Sequence, residues 1–217
     1  MQTFSAWREG VAHYVPAFLL LLVCLYPACR GSHWAWIGVG VFLVYGLFSL
    51  FFFRDPERAI TAAAGEVVSP ADGTVVAVEE LEETPHYKGP CQRISIFLSI
   101  LSVHVNRAPF DGTIQDIRRK HGGFLFATKP EASERNESND VWLETPRGPM
   151  TVRQITGVVA RRIVCRANVG DTLAKGEKFG MIKFGSRTEL YLPRSAEVCV
   201  KASDKVQAGT SVVARFS

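Results

Sequence analysis

Apolar residues crowd into one end of this chain. From Trp34 to Phe53 the sequence runs for 20 residues without a charge. As a helix such a stretch is about 30 Å long, the thickness of a bilayer's hydrocarbon core. A second apolar stretch, Val11 to Cys29, is shorter in its purely apolar part and contains His13, Pro16 and Pro27; Arg30-Gly31-Ser32-His33 separates the two. The pattern predicts a hairpin of two helices over residues 1–53, spanning the membrane or embedded in one leaflet. Trp34, Trp36 and Phe51 to Phe53 flank the second stretch, where interfacial rings prefer to sit. Arg54 and Arg58 follow directly, which favours a cytoplasmic location for everything downstream. A cleaved signal peptide needs a basic start and a small-residue cleavage site. Here Arg8 is offset by Glu9 and a longer apolar segment follows at once. A soluble, buried helix pair is disfavoured by the uncharged length.

From Arg54 onward, residues 54–217, short β-branched runs alternate with Gly and Asp turn signals. Val67-Val68 precedes Asp72-Gly73 and Val75 to Val78; Ile94 to Leu98 precedes Asp111-Gly112, Ile114 and Ile117. Later runs are Val158-Val159, Ile163-Val164, Met181 to Phe184, Glu189 to Leu192 and Val198 to Val200. Turns at this spacing predict a mainly β barrel or sandwich of short strands. Helical signal is confined to Pro130 to Arg135. The chain also echoes itself. Ala71-Asp72-Gly73-Thr74-Val75 is matched by Phe110-Asp111-Gly112-Thr113-Ile114, and Val169 to Gly176 by Lys205 to Gly209. The second pattern is the one that small hairpin-built carrier domains of the biotinyl or lipoyl kind use, with Gly allowing tight turns.

Composition narrows the function classes. The 217 residues carry Lys+Arg 25 against Asp+Glu 21, a mildly basic balance with no cluster. That suits contact with an anionic membrane surface and makes nucleic acid a poor partner. The five cysteines, Cys24, Cys29, Cys91, Cys165 and Cys199, are odd in number and contain no C-x-x-C pair. A disulfide framework or a metal site is therefore not expected, and a reducing compartment is the simpler reading.

Candidate chemistry starts at Gly185-Ser186. Alone, the pair reads as a turn into the strand Glu189 to Leu192. Its position between two strand-like runs admits a second reading. A glycine before the serine lets the backbone take a strained geometry in which the Ser186 hydroxyl faces the preceding carbonyl. Attack there converts the amide to an ester, and elimination with loss of ammonia leaves a pyruvoyl group. Asp72 lies in an Asp-Gly turn, as does Asp111. His104 follows an apolar run, where a core histidine, a strand-end surface residue and a catalytic one are all plausible.

Phe184-Gly185-Ser186 resembles the cleavage signature of phosphatidylserine decarboxylases, specifically their short bacterial and archaeal branch. Phe52-Phe53-Arg54-Asp55-Pro56-Glu57-Arg58 resembles the segment after that branch's membrane hairpin. Ser69-Pro70-Ala71-Asp72-Gly73 resembles its first strand-turn motif, and Leu98-Ser99 through His104-Val105-Asn106-Arg107-Ala108-Pro109 its histidine motif. Asn136-Glu137 is similar to a further polar pair. The resemblance covers Phe52 to Ser217. It implies autocatalytic cleavage at Gly185-Ser186, a covalent pyruvoyl group from Ser186 that forms an imine with the substrate amine, and decarboxylation of phosphatidylserine at the membrane. It also implies that His104 acts as general base or acid and that Asp72 orients and charges it. The longer members carry a second histidine where this chain has Arg107. Either His104 serves both maturation and turnover, or Arg107 binds the substrate carboxylate or phosphate. His121 and Asn136 are weaker candidates for substrate contact; His13, His33 and His86 read as structural or exposed. Cleavage would leave residues 1–185 and 186–217 as tightly associated subunits.

Two rival classes remain at this point. A non-enzymatic membrane-anchored carrier-like or adaptor domain explains the hairpin, the strands and the repeats, with Gly185-Ser186 only a turn. A tethered serine peptidase lacks a G-x-S-x-G elbow, and a metallopeptidase lacks H-E-x-x-H.

Overall fold

The structure is a computed structural model that describes residues 4–158, 162–183 and 185–216. Val159 and Phe184, both assigned to strand-like runs above, lie outside the described residues. Residues 5–56 form one compact unit, and Phe4 with residues 57 onward forms the other.

The first unit is a hairpin of α1 (Ala6–Cys29) and α2 (His33–Phe52). Both helices are long and apolar enough to cross a membrane by length and composition. α1 starts earlier than the apolar pattern indicates, because Glu9 lies in its first turn, where a carboxylate complements the helix dipole. Small residues let the helices approach: a Cβ on Gly10 would stand 2.6 Å from the Phe53 ring, and one on Gly46 3.0 Å from Phe18. His13 Nδ1 lies 3.0 Å from the Tyr45 hydroxyl, a polar tie between the helices.

The second unit is mainly β. Its strands begin with β1 (Glu66–Val68), β2 (Gly73–Leu81), β3 (Cys91–Leu98), β4 (Val105–Arg107) and β5 (Gly112–Lys120), followed by a single helical turn, α3 (Ala132–Arg135). Then come β6 (Ser138–Thr145), β7 (Gly148–Ile155), β8 (Arg162–Cys165), β9 (Thr172–Leu173), β10 (Lys178–Lys183), β11 (Ser186–Pro193), β12 (Glu197–Val198), β13 (Lys205–Val206) and β14 (Val212–Arg215). They assemble into an eight-stranded sheet, β13-β2-β3-β11-β7-β6-β5-β9, and two three-stranded sheets, β1-β14-β12 and β4-β10-β8.

The sequence echo is a structural duplication. Gly73 opens β2 and Gly112 opens β5; β2 pairs with β13 and β5 with β9. Asp72 Oδ1 accepts the Ala208 N–H at 2.8 Å, and Asp111 Oδ1 accepts the Lys175 N–H at 2.8 Å. Each aspartate thus fixes the glycine turn that follows its partner strand. Those turn glycines, Gly176 and Gly209, share a φ of +79°, a left-handed conformation that excludes most side chains. Ile60 covers both.

β11 is buried on both faces. Leu190 and Leu192 join the apolar core with Val75, Ile94, Ile96, Leu98, Val141 and Val152. On the opposite face, strand alternation directs Arg187, Glu189 and Tyr191 into a sealed polar layer. Glu189 pairs with Arg187 at 3.2 Å and Arg153 at 3.6 Å, and accepts from Ser133 of α3 and from the Tyr191 hydroxyl. Arg153 also pairs with Asp140 at 3.0 Å, and Asp140 with His86 at 2.6 Å. This layer explains why β6 and β7 are absent from the sequence pattern: their polar positions are interior, so neither strand shows apolar alternation.

Burial alone raises the Glu189 pKa, but Arg187, Arg153, Ser133 and Arg93 outweigh it and hold the carboxyl below its usual 4.5. A depressed carboxylate contributes stability that is complete above 4.5 and lost as pH falls through its folded value. Glu189→Gln leaves the arginines uncompensated and is expected to cost about 3–5 kcal/mol. The checks are a lower urea midpoint near neutral pH and a shallower loss of stability on acidification than in the parent chain.

Candidate active site

Ser186 is the first residue of β11, opposite Leu98 of β3. The strand therefore begins at the serine itself and not at Glu189. Its hydroxyl is fully buried and has no hydrogen-bond partner among the described residues. An orphaned buried hydroxyl costs about 1–3 kcal/mol; Ser95 and Thr151 carry others, but only that of Ser186 follows a left-handed glycine. Gly185 has a φ of +61°, in the left-handed region, and its carbonyl lies against Gly157 so closely that no side chain fits there. Ala127 Cβ stands 3.3 Å from the same Cβ position on Gly157. The glycine before the serine thus takes a left-handed turn that a side chain would disfavour, and its carbonyl is closely walled.

The strands on either side fix that linkage. β10 is central in its sheet, between β4 and β8, and β11 is held between β3 and β7. His104 directly precedes β4, is buried, and its carbonyl accepts the Ile182 N–H at 3.3 Å. The histidine is therefore tethered to the strand that leads into the Gly185-Ser186 link.

Asn106 was not singled out by the sequence, and it joins the motifs. Its Nδ2 donates to Thr188 Oγ1 at 3.1 Å and to the Pro70 carbonyl at 3.4 Å, while its Oδ1 accepts from Gln154 at 2.9 Å. Gln154 in turn accepts from Asn139 at 2.9 Å. One buried amide thus ties the Ser69-Pro70-Ala71-Asp72-Gly73 turn, the histidine motif and the Ser186 strand together. The signal for it was a polar residue at an inward strand position.

The other sequence candidates fall as follows. Asp72 Oδ2 accepts from Arg58 at 2.8 Å, in addition to its bond from Ala208. Each carboxylate oxygen can accept twice, so both retain capacity. Arg107 is nearly buried and donates from Nη1 to the Gly176 carbonyl at 2.9 Å, beneath the paired glycine turns. His121 is exposed. Asn136 is fully buried; its amide accepts from Leu125 N–H at 2.7 Å and donates to the carbonyls of Leu125 and Thr156 at 2.8 and 2.7 Å. It clasps the 121–129 loop to the segment leading to Gly157. Among the described residues no group of His, Cys, Asp and Glu is arranged to hold a metal.

Residues 45–214 match the family model described as phosphatidylserine decarboxylase. The chain is similar to the phosphatidylserine decarboxylase proenzyme of Carboxydothermus hydrogenoformans, 48% identical over 182 residues, 83% of this chain and 85% of the relative. It is also similar to the proenzymes of Nitrosomonas eutropha, 43% identical over 96% of this chain and 94% of the relative, and Salinibacter ruber, 46% over 84% and 83%.

Asn136→Ala removes three buried bonds to backbone. Amide exchange in residues 122–128 and 156–158 is expected to accelerate, while β3 and β11 keep their protection. Hydrogen-exchange mass spectrometry reads both; uniform acceleration through the sheet would mean that Asn136 supports the whole fold and not the loops alone.

Proposed function

Because the chain belongs to the phosphatidylserine decarboxylase family, we propose that it converts phosphatidylserine to phosphatidylethanolamine and CO2 at a membrane surface, after cutting itself at Gly185-Ser186. The observation that carries this reading is the buried Ser186 hydroxyl, unpartnered among the described residues, behind a left-handed Gly185. The name proenzyme given to its relatives agrees with a chain that is processed.

In the proposed maturation, His104 takes the proton of Ser186 Oγ, which attacks the Gly185 carbonyl and exchanges the amide for an ester. Elimination releases the Gly185 carboxylate and leaves a dehydroalanine at residue 186. Its enamine tautomerises, and one water hydrolyses it to ammonia and a ketone. Asp72 orients and charges the histidine. The buried setting fits such a group: it replaces a hydroxyl that has no hydrogen-bond partner among the described residues. The ketone supplies the electron sink that loss of CO2 from an α-amino acid requires. For turnover, His104 moves a proton at the substrate. His121 is offered as a head-group contact, while Arg107 and Asn136 hold the surrounding backbone.

The proposed products of the cut, residues 1–185 and 186–217, stay together. β11 is hydrogen-bonded between β3 and β7, β13 pairs with β2, and β14 with β1. The two apolar helices hold the catalytic unit to the membrane in which the substrate is dissolved, and Arg54 with Arg58 after α2 favours its cytoplasmic side.

Ser186→Ala is expected to remain a single 24.0 kDa chain on denaturing gels and to release no CO2 from liposomal phosphatidylserine. Ser186→Thr, which keeps the hydroxyl, is expected to cut more slowly. Wild-type CO2 release by the Ser186→Ala chain would refute the proposal.

A further inference from the structure

Eight large apolar residues of the β unit are exposed among the described ones, and five of them, Ile100, Leu101, Phe124, Phe126 and Val158, sit in three loops. Their exposures run from 37% to 63%. The three loops converge on the Gly185 peptide. Ile100 Cγ2 lies 3.9 Å from where a Gly185 Cβ would be, and Gly157, next to Val158, abuts the Gly185 carbonyl and Ala127. The Asn136 clasp ties Leu125 to Thr156, and Arg187 donates to the Lys129 carbonyl at 3.4 Å, holding the far end of the 121–129 loop over β11. Scattered apolar residues on a surface need no explanation; five of them on three loops that meet at one peptide do.

The ring's charge pattern is equally uneven. Residues 99–103, 121–128 and 156–158 contain no Asp, Glu, Lys or Arg, and the longest of these loops is bracketed by Lys120 and Lys129, both exposed. Apolar tips framed by cations fit a partner that is apolar inside and anionic at its surface. A bilayer containing an anionic phospholipid has that chemistry. Apolar loop residues that enter such a surface bury to about 5–10 Å, at the boundary of head groups and acyl chains.

We propose that Ile100, Leu101, Phe124, Phe126 and Val158 form a collar by which the β unit itself dips into the lipid surface around the Gly185-Ser186 site. The proposal rests on the decarboxylase reading for its biological sense, since a reactive group at residue 186 must meet a head group whose acyl chains stay in the bilayer. The collar then presents apolar side chains to the acyl chains beside the site.

The test is depth-dependent fluorescence quenching on the full chain in liposomes of phosphatidylserine and brominated phosphatidylcholine. Phe126→Trp and Val169→Trp are compared, each with the unsubstituted protein's emission subtracted; Val169 is 61% exposed and lies in the β8–β9 connection, outside the collar. The expected result is loss of the added emission for Phe126→Trp and no loss for Val169→Trp. The pair is repeated in the Ser186→Ala background, so the outcome does not depend on cleavage or activity. Equal quenching at both positions, or none at either, overturns the collar. So does a doubled mass in detergent that Phe126→Glu reduces to that of one chain, because the ring would then cover a second copy.

Discussion

The structure turns on one peptide linkage held where it cannot relax. Gly185 stands in the left-handed region, and the next residue opens a strand with a buried hydroxyl that bonds to nothing described. Glycine adopts this conformation without steric cost, so what fixes the linkage is its surroundings. Here the surroundings are two fully paired strands: β10 inside one sheet and β11 inside another. A one-residue slip of β11 would carry Leu190 and Leu192 out of the core and turn Glu189 away from its arginines. The pairing of these strands is therefore what fixes where Gly185 and Ser186 stand.

The duplicated architecture supplies that rigidity cheaply in sequence terms. Two copies of one device, an aspartate before a strand capping a distant glycine turn, lock β2 to β13 and β5 to β9. The copies then diverge. Asp72 also takes Arg58, from the segment following the helical hairpin, whereas Asp111 lies among the groups around Lys175. Asn106 connects the Asp72 copy to the serine strand through Pro70 and Thr188. Turn, histidine motif and serine strand are thus one hydrogen-bonded assembly, although they lie far apart in the chain.

Much of this was legible in the sequence, and the gaps have a physical pattern. The helical hairpin announced itself by uncharged length, and strands such as β3 by β-branched runs between turn residues. The single helical turn at Ala132–Arg135 falls within the one segment with helical signal. β6 and β7 were hidden because Asp140 and Arg153 face each other across them inside the protein, and interior polar positions erase the alternation that reveals a strand. Asn106 was hidden for the same reason. Ser186, by contrast, was visible only as part of a motif, since nothing in a Gly-Ser pair distinguishes a buried strand start from an ordinary turn.

The central claim is that the Gly185-Ser186 bond is broken by the serine's own hydroxyl to leave a ketone. Intact-mass spectrometry of the purified, denatured chain tests it most directly. The account predicts two polypeptides, residues 1–185 and residues 186–217, with the smaller blocked at its N-terminus and carrying the mass of a ketoacyl group in place of serine. A single full-length chain in a preparation that releases CO2 from phosphatidylserine would contradict it.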